Sequence, residues 1–263
     1  MEELTTSDLA YRVFVRSRMY VLLAKSFLYP TELIFQYIRS SDYDESLSRY
    51  GSLHDADVMQ QRAQELITSS QSENLKRGEL ETEYNRLFAH LGSAICPPYE
   101  SEYGYENIFQ KTQAMADIAG FYRAYGLEVA DTNTERVDFI ATELEFMSYL
   151  LMSEAYARAH GVREQLDIAI DTQKKFLRDH LGRWMGVFSA ILIGNTENPF
   201  YHSLGSVVQQ FVETELVLLG VVPERVSLRR KPHDEPLEPF GCQDCAVQSP
   251  IAQSITANNQ FDV

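Results

Sequence analysis

Residues 135–160 read ERVDFIATELEFMSYLLMSEAYARAH, and this stretch decides the fold. Its apolar side chains recur at steps of three and four residues, at Val137, Ile140, Leu144, Met147, Leu150 and Leu151. This spacing places them on one face of an α-helix of about seven turns. It is the longest and most regularly patterned helix that the sequence predicts, so we expect it to lie at the centre of the fold.

Apolar stripes of the same kind predict helices in most of the chain. They cover residues 8–29, 33–50 with a break at 40–42, 56–69, 75–91, 108–125, 164–181, 182–193 with Gly182 as a hinge, and 199–219. The alternation of β-branched residues that is typical of strands is nearly absent. The sequence therefore predicts an all-α bundle of about nine to ten helices over residues 1–220, either one domain or two lobes.

The composition changes beyond Gly220. Five of the nine prolines lie there, among charged, Gln, Ser and Asn residues and with few apolar ones: Pro223, Pro232, Pro236, Pro239 and Pro250. Such a segment cannot bury enough apolar surface to offset the entropy of ordering it. We predict that residues 221–263 form an extended or disordered tail.

The formal charge is −15, from 38 acidic and 23 basic residues. Nucleic-acid binding needs a basic surface, so a nucleic-acid partner is not expected. An acidic surface attracts basic protein segments, but many proteins carry one only to stay soluble. The net charge alone does not distinguish a binding role from a solubility role. The first residues do not resemble a secretory signal and no apolar run reaches the length of a membrane span, so we expect a soluble cytoplasmic protein.

Residues 97–105, PPYESEYGY, interrupt the helical pattern, and we call them the proline-tyrosine loop. Two consecutive prolines end the preceding helix, and the loop then carries three tyrosines and two glutamates. One interpretation is that the prolines turn the chain and the tyrosines pack against neighbouring helices. The whole connection between the two helices is about 12 to 15 residues long, and connections of that length are often functional, so this loop is the first place to look for a binding site.

Cys242 and Cys245 form a C-x-x-C motif in the predicted tail. A closed tetrahedral metal site needs two more ligands, and the sequence offers only His233 nearby and Cys96 far away. We therefore predict no metal site and no resident cofactor. A metal-binding or redox protein that uses Cys242 and Cys245 is the alternative function.

Carboxylates are frequent at the start of the 135–160 helix, at Glu135, Asp138, Glu143 and Glu145. A di-iron bundle would need Glu-x-x-His motifs, which do not occur in this chain. We expect Glu135 to strengthen the first helical turn and the others to face water. The histidines form no Ser-His-Asp or Cys-His grouping, and we expect His180, beside Trp184, to be a packed or capping residue. The sequence therefore predicts no catalytic residues and no enzyme.

Seven segments carry a resemblance when taken in order. They are RSRMYVLLAKSFLYP (16–30), YNRLF (84–88), PYESEY (98–103), GFYRAYGL (120–127), ERVDF (135–139), ELEFM (143–147) and FLRDHL (176–181). On an all-α background they resemble the TorD/DmsD/NarJ family of redox-enzyme maturation chaperones, over about residues 11–219. Where that family's E-x-x-x-D-H motif has histidine, this chain has Phe139, which suggests a divergent branch or a more apolar peptide groove.

The resemblance implies a cytoplasmic protein that binds the precursor of a molybdenum oxidoreductase's catalytic subunit. Members hold its twin-arginine signal peptide and apo-enzyme back from export until the molybdopterin guanine dinucleotide cofactor is inserted. They act as monomers or as homodimers that exchange helices. The implied peptide-binding residues are Tyr84, Phe88, Pro98, Tyr99, Glu100, Ser101, Glu102, Tyr103, Glu135, Asp138 and Phe139.

The physical interpretation agrees with this. A signal peptide offers two arginines followed by an apolar helix, so its receptor needs carboxylates beside an apolar groove. We expect Glu100, Glu102 and Asp138 to supply the charge. We expect the proline-tyrosine loop and the start of the long helix to meet. A helical enzyme and a structural subunit of an oxidoreductase complex are further alternatives.

Overall fold

The computed structural model describes residues 5–53, 57–89, 94–129 and 135–226. In these ranges the chain forms ten α-helices and no β-strand. The helices are α1 Thr6–Ser26, α2 Glu32–Ile38, α3 Ser41–Gly51, α4 Asp57–Ser70, α5 Arg77–Phe88, α6 Ile108–Ala124, α7 Ile140–His160, α8 Arg163–Phe176, α9 Gly182–Asn195 and α10 Pro199–Leu219. The predicted all-α class is confirmed, as a single helical bundle.

Helices α1 and α7 pack along each other and form the centre of the bundle. Helix α8 packs on α7, α10 packs on α9 and α4, and α3 lies against α1 and α4. The core is rich in aromatic side chains, and the largest fully buried ones include Trp184, Tyr20 and Phe211. The prediction that the 135–160 helix is central is therefore confirmed for α7.

A buried ion pair joins α1 to α10. The Arg16 guanidinium donates from Nε to Glu215 Oε1 at 2.9 Å and from Nη2 to Oε2 at 2.7 Å. The hydroxyls of Tyr20 and Tyr50 donate to the same carboxylate at 3.3 Å each. Because Glu215 is fully buried, these four donors replace the water that its charge would otherwise need.

Local caps set several helix ends. The predicted break at residues 40–42 is confirmed, since the Ser40 side chain accepts a hydrogen bond from Tyr43 N and starts α3 as a separate helix. Asn198 caps α10, with Pro199 in its first turn. Gly220 ends α10 in the left-handed conformation, at φ 63°. These boundaries follow from the residues at the ends themselves.

The start of the long helix differs from the prediction. Helix α7 begins at Ile140, and residues 135–139, which we call the α7 entry segment, lie outside it. The reason is backbone pairing with the proline-tyrosine loop, since Tyr99 and Phe139 form an isolated antiparallel bridge. The prediction that Glu135 strengthens the first helical turn is therefore wrong.

Helices α8 and α9 are joined by a π-helical turn, Leu177–Leu181. The predicted boundary at Gly182 is confirmed as the start of α9. The chain stays helical on both sides of Gly182, however, and forms no open hinge there. A Cβ atom at Gly182 would lie 2.3 Å from the Leu177 carbonyl oxygen. Only glycine fits against the carbonyl that the π turn places there.

The first residues of the predicted tail, 221–226, form no helix and run back over the bundle. Val226 N donates to the Arg183 carbonyl at 3.1 Å. The remaining tail, with Cys242 and Cys245, lies outside the described residues. Among the helices that are described, none combines the length and the apolar character needed to cross a bilayer.

Candidate functional site

The proline-tyrosine loop and the α7 entry segment meet, as expected. Two backbone hydrogen bonds flank the bridge between Tyr99 and Phe139. Glu100 N donates to the Asp138 carbonyl at 3.0 Å, and Ile140 N donates to the Pro98 carbonyl at 2.9 Å. The two segments are therefore one structural unit.

Asp138 fixes the geometry of this unit. Its side chain is fully buried and its Oδ2 accepts a hydrogen bond from Ser101 N at 3.0 Å. The Arg136 guanidinium donates to both of its oxygens, from Nε to Oδ1 at 2.9 Å and from Nη2 to Oδ2 at 2.7 Å. The Asp138 carboxylate is thus fully engaged inside the protein, and the prediction that it faces water is wrong because its partners come from the loop and from Arg136.

Glu102 is the surface carboxylate of the loop. It accepts from Arg136 Nη1 at 3.2 Å and from Lys111 Nζ at 2.7 Å. Partial burial alone would raise the pKa of Glu102, but the hydrogen bonds and charges of Lys111 and Arg136 lower that pKa below its usual range. Glu102 is therefore ionised, and its side chain is 29% exposed.

Arg136 connects these carboxylates. Besides Asp138 and Glu102, it donates from Nη2 to Ser101 Oγ, and its guanidinium carbon lies 4.5 Å from the centre of the Tyr99 ring. The Tyr99 hydroxyl in turn donates to Glu135 Oε2 at 2.8 Å. A guanidinium held by carboxylates on one side and an aromatic face on the other is a strong arginine-binding arrangement.

A second acidic cluster lies beneath the loop. Glu100 and Glu143 are both buried. Glu100 Oε1 accepts from the Tyr105 hydroxyl at 2.6 Å and lies 3.3 Å from His180 Nδ1. Glu143 Oε2 accepts from Trp184 Nε1 at 3.3 Å. His180 is buried, so its predicted role as a packed residue beside Trp184 is confirmed.

The surroundings of Glu143 favour its protonated form. Burial raises the pKa of Glu143 well above its usual range, and the negative charges of Glu100 and Asp138 raise it further. Its Oε1 has no hydrogen-bond partner among the described residues unless a proton is shared with Glu100. The prediction that Glu143 faces water is wrong, because the side chains that surround it come from distant segments.

One of the three tyrosines of the loop, Tyr103, is part of the core, and Tyr99 and Tyr105 are half-buried. Tyr103 stacks on Trp184 with ring centres 5.2 Å apart, and its hydroxyl donates to the Pro97 carbonyl at 2.8 Å. Phe139 is buried against Tyr99. Tyr84 is half-buried and donates from its hydroxyl to the Phe27 carbonyl at 3.2 Å. The loop is thus anchored by its aromatic side chains.

The predicted peptide-binding residues therefore lie together but differ in access. Those that are buried are Phe88, Pro98, Glu100, Ser101, Tyr103, Asp138 and Phe139. Tyr84, Tyr99 and Glu135 are half-buried, and Glu102 is exposed. The open apolar groove expected between the loop and the long helix is occupied by these buried side chains.

An open aromatic groove lies elsewhere, between α7, α8 and the end of α6. It encloses about 400 Å³ and is lined by Tyr125, Tyr149, Met152, Ser153, Tyr156, Gln165, Ile168 and Ala169. Four of these side chains are large, apolar and unusually exposed: Tyr149 (41%), Met152 (45%), Tyr156 (56%) and Ile168 (51%). We call this the α7–α8 groove.

Sequence reasoning missed this groove, although a signal was present. Tyr149, Met152 and Tyr156 follow one another at helical spacing, on a different face of α7 from the core stripe. A helix that is apolar on two faces has no clear polar side, so the second apolar stripe of α7 cannot be distinguished from the core-facing stripe by periodicity alone. A further open depression of about 870 Å³ lies between α4 and the start of α10, lined by Gln60, Gln64, Thr68 and other residues.

No group of three or more histidine, cysteine or acidic side chains among residues 5–53, 57–89, 94–129 and 135–226 has the geometry to hold a metal ion. Cys96 is buried and its thiol pKa is raised by burial. Cys242, Cys245 and His233 lie outside these ranges, so the alternative metal or redox function stays a prediction.

Comparison with known proteins gives two curated relatives. The perchlorate reductase assembly chaperone protein of Dechloromonas aromatica (strain RCB) is 28% identical over 100 residues, which are 38% of this chain and 44% of that protein. The chlorate reductase assembly chaperone protein of Ideonella dechloratans is 28% identical over 156 residues, 57% of this chain and 76% of that protein. The match thus spans less than half of the first relative.

A solved structure from Archaeoglobus fulgidus, described as a candidate redox enzyme maturation protein, is also similar. It shares 21% identity, with a TM-score of 0.45 over 75% of this chain and 93% of that one. The family model described as nitrate reductase delta subunit matches residues 48–190, more than half of the chain, including the proline-tyrosine loop and α7. The chain therefore belongs to the nitrate reductase delta subunit family.

Proposed function

We propose that this protein is a cytoplasmic assembly chaperone for the catalytic subunit of a molybdenum oxidoreductase. In this proposal it binds the subunit's precursor through the twin-arginine signal peptide, and it holds the apo-enzyme until the cofactor is inserted and export can proceed. The observation that carries the proposal is the family match over residues 48–190, together with two relatives that are named assembly chaperones. The protein itself performs no catalysis.

The apolar part of the signal peptide would bind in the α7–α8 groove. Exposed tyrosine and methionine side chains form adaptable apolar surfaces, which suits a receptor for a helix of variable sequence. Packed aromatic rings connect the groove to the core. The ring centre of Tyr125 lies 6.0 Å from that of Tyr149, in the groove, and 5.8 Å from that of the buried Phe146. Phe146 packs on Phe176, which contacts His180 beneath the proline-tyrosine loop.

The arginines would bind at the proline-tyrosine loop. Glu102 is its exposed carboxylate, and Tyr99 offers a half-buried ring beside it. Because Glu100 and Asp138 are buried, charge reversal at those two positions would disrupt the loop itself and would not test peptide binding. Glu102→Lys is the informative change, and we expect it to weaken binding and to make the remaining affinity less sensitive to salt.

Calorimetric titration with the signal peptide of a candidate client tests the groove. The double variant Met152→Ser/Tyr156→Ser should lose about 30-fold in affinity, since truncation of exposed apolar anchors at an interface costs about 2 kcal/mol. Leu33→Ser is the matched control, because Leu33 is 77% exposed on α2. Equal affinity of the double variant and the control would contradict binding in the groove.

Co-purification tests the chaperone role. We expect the protein to be recovered with the precursor of the catalytic subunit and to be absent from the mature enzyme. Recovery with the mature enzyme at a fixed ratio would instead indicate a structural subunit of the complex.

A further inference from the structure

Arg136 occupies the arginine-binding arrangement that the loop offers. Its guanidinium contacts two carboxylates, those of Asp138 and Glu102, as well as Ser101 Oγ, and it lies over the Tyr99 ring. These are the groups that an arginine from a client would need. The protein therefore presents this site with one of its own side chains already bound.

We propose that residues 99–102 and Asp138 form a guanidinium site in which Arg136 is an exchangeable internal occupant, replaced by an arginine of the client. The proposal deepens the function proposed above and rests on it for the source of the incoming arginine. The site itself rests on the contacts of Arg136 alone.

The position of Arg136 makes exchange possible. Its side chain remains 30% exposed, and Glu102 is similarly exposed at 29%, so one side of the site opens to solvent. Arg136 lies in the α7 entry segment, which is outside any helix, so a rotation of its side chain moves no helix. Arginine is suited to this role because its planar fork binds a carboxylate with two parallel hydrogen bonds, which lysine cannot reproduce.

The buried carboxylate explains why the site should not stand empty. Asp138 is completely buried under Arg136, and an ionised carboxylate without a partner is strongly disfavoured there. Because leaving Asp138 unpaired is costly, Arg136 occupies the site most of the time when no other guanidinium is present. Arg136 would compete with incoming side chains for the site, and segments that bind weakly or carry only lysine would not displace it. Binding would then be restricted to segments that carry arginine.

If Arg136 competes with an incoming arginine, removing Arg136 should raise the affinity for an arginine-bearing peptide. If Arg136 fills the site about nine-tenths of the time, it lowers the apparent affinity for an outside arginine about tenfold. Arg136→Ala should therefore bind an arginine-bearing signal peptide about tenfold more tightly than the unmodified protein. A purely structural ion pair predicts equal or weaker binding.

The first measurement uses N-acetyl-arginine amide as the probe and thermal unfolding of the full chain as the readout. We expect the probe to raise the unfolding midpoint of Arg136→Ala in a saturable manner, while N-acetyl-lysine amide raises it far less and the unmodified protein hardly responds. Arg18→Ala is the matched control, because Arg18 also contacts both oxygens of an aspartate, Asp42, at the surface. A folded Arg136→Ala that behaves like the control overturns the proposal.

Arg136→Lys covers the case in which Arg136→Ala does not fold, since it keeps the charge and loses the fork. Saturable stabilisation of Arg136→Lys by the arginine probe supports the site, and no response overturns it. The second measurement is the affinity of each variant for the signal peptide. If neither variant binds the peptide but the probe still stabilises Arg136→Ala, the guanidinium site stands and the client proposed above is wrong.

Discussion

Replacing Glu143 with glutamine should remove a pH dependence that the buried acidic cluster gives to the protein's stability. Glutamine keeps an oxygen that can accept from Trp184 Nε1, and its amide group can donate to Glu100 in place of the shared proton. The variant therefore preserves the contacts of the protonated side chain but cannot ionise.

The sign of the effect follows from the raised pKa. In the folded protein Glu143 keeps a proton that the unfolded chain releases above the ordinary carboxyl pKa of 4.5. The contribution of Glu143 to stability is therefore fully present below that pKa and is lost as pH rises toward the raised folded-state value. Each pH unit in this window costs the unmodified protein about 1.4 kcal/mol relative to the variant.

Urea unfolding followed by circular dichroism measures this difference. As pH rises above the ordinary carboxyl pKa, we expect the unmodified protein to lose unfolding free energy relative to Glu143→Gln with this slope, until the raised folded-state pKa of Glu143 is reached. Glu164→Gln, at an exposed position of α8, is the control and should follow the unmodified protein at every pH. Parallel stability curves for the unmodified protein and Glu143→Gln would refute the assignment of a buried, protonated Glu143.

Three further predictions concern the fold. Arg16→Met should lower the free energy of unfolding in urea by about 3–5 kcal/mol, because it leaves the Glu215 carboxylate buried without its partner, and adding Glu215→Leu should restore most of the loss. Gly182→Ala should destabilise by about 1–3 kcal/mol through its contact with the Leu177 carbonyl, and the gain usual for alanine in a helix would contradict this reasoning. Cys96 should react with iodoacetamide much more slowly in the native protein than in urea, as measured by peptide mapping, and equal rates would show that its thiol is accessible.

Local signals made much of the fold predictable. Asn198, Pro199 and Gly220 mark both ends of α10 in the sequence itself, and the structure begins and ends that helix where the pattern does. The start of α7 was not predictable in this way. It depends on backbone hydrogen bonds from a loop about 40 positions earlier, and a helical periodicity cannot register a partner from another segment.

The same limit applies to the site. The resemblance placed the loop and the α7 entry segment together, but it gave no indication of which side chains are buried. Glu143 points inward because Trp184, 41 positions later, donates to it, and Asp138 does so because Ser101, 37 positions earlier, binds it. Carboxylates at exposed and buried helix positions look alike in a sequence, and only their tertiary partners distinguish them.

Trp184 is the only tryptophan in the chain, and it lies at the centre of this cluster. Its indole stacks on Tyr103 of the loop and donates to Glu143 on α7. Tryptophan fluorescence of the unlabelled protein, excited selectively over tyrosine, therefore reports on one place, the junction beneath the proline-tyrosine loop. Binding of a ligand or a proton that alters this junction should therefore change the emission of Trp184, and no attached dye is needed to detect it.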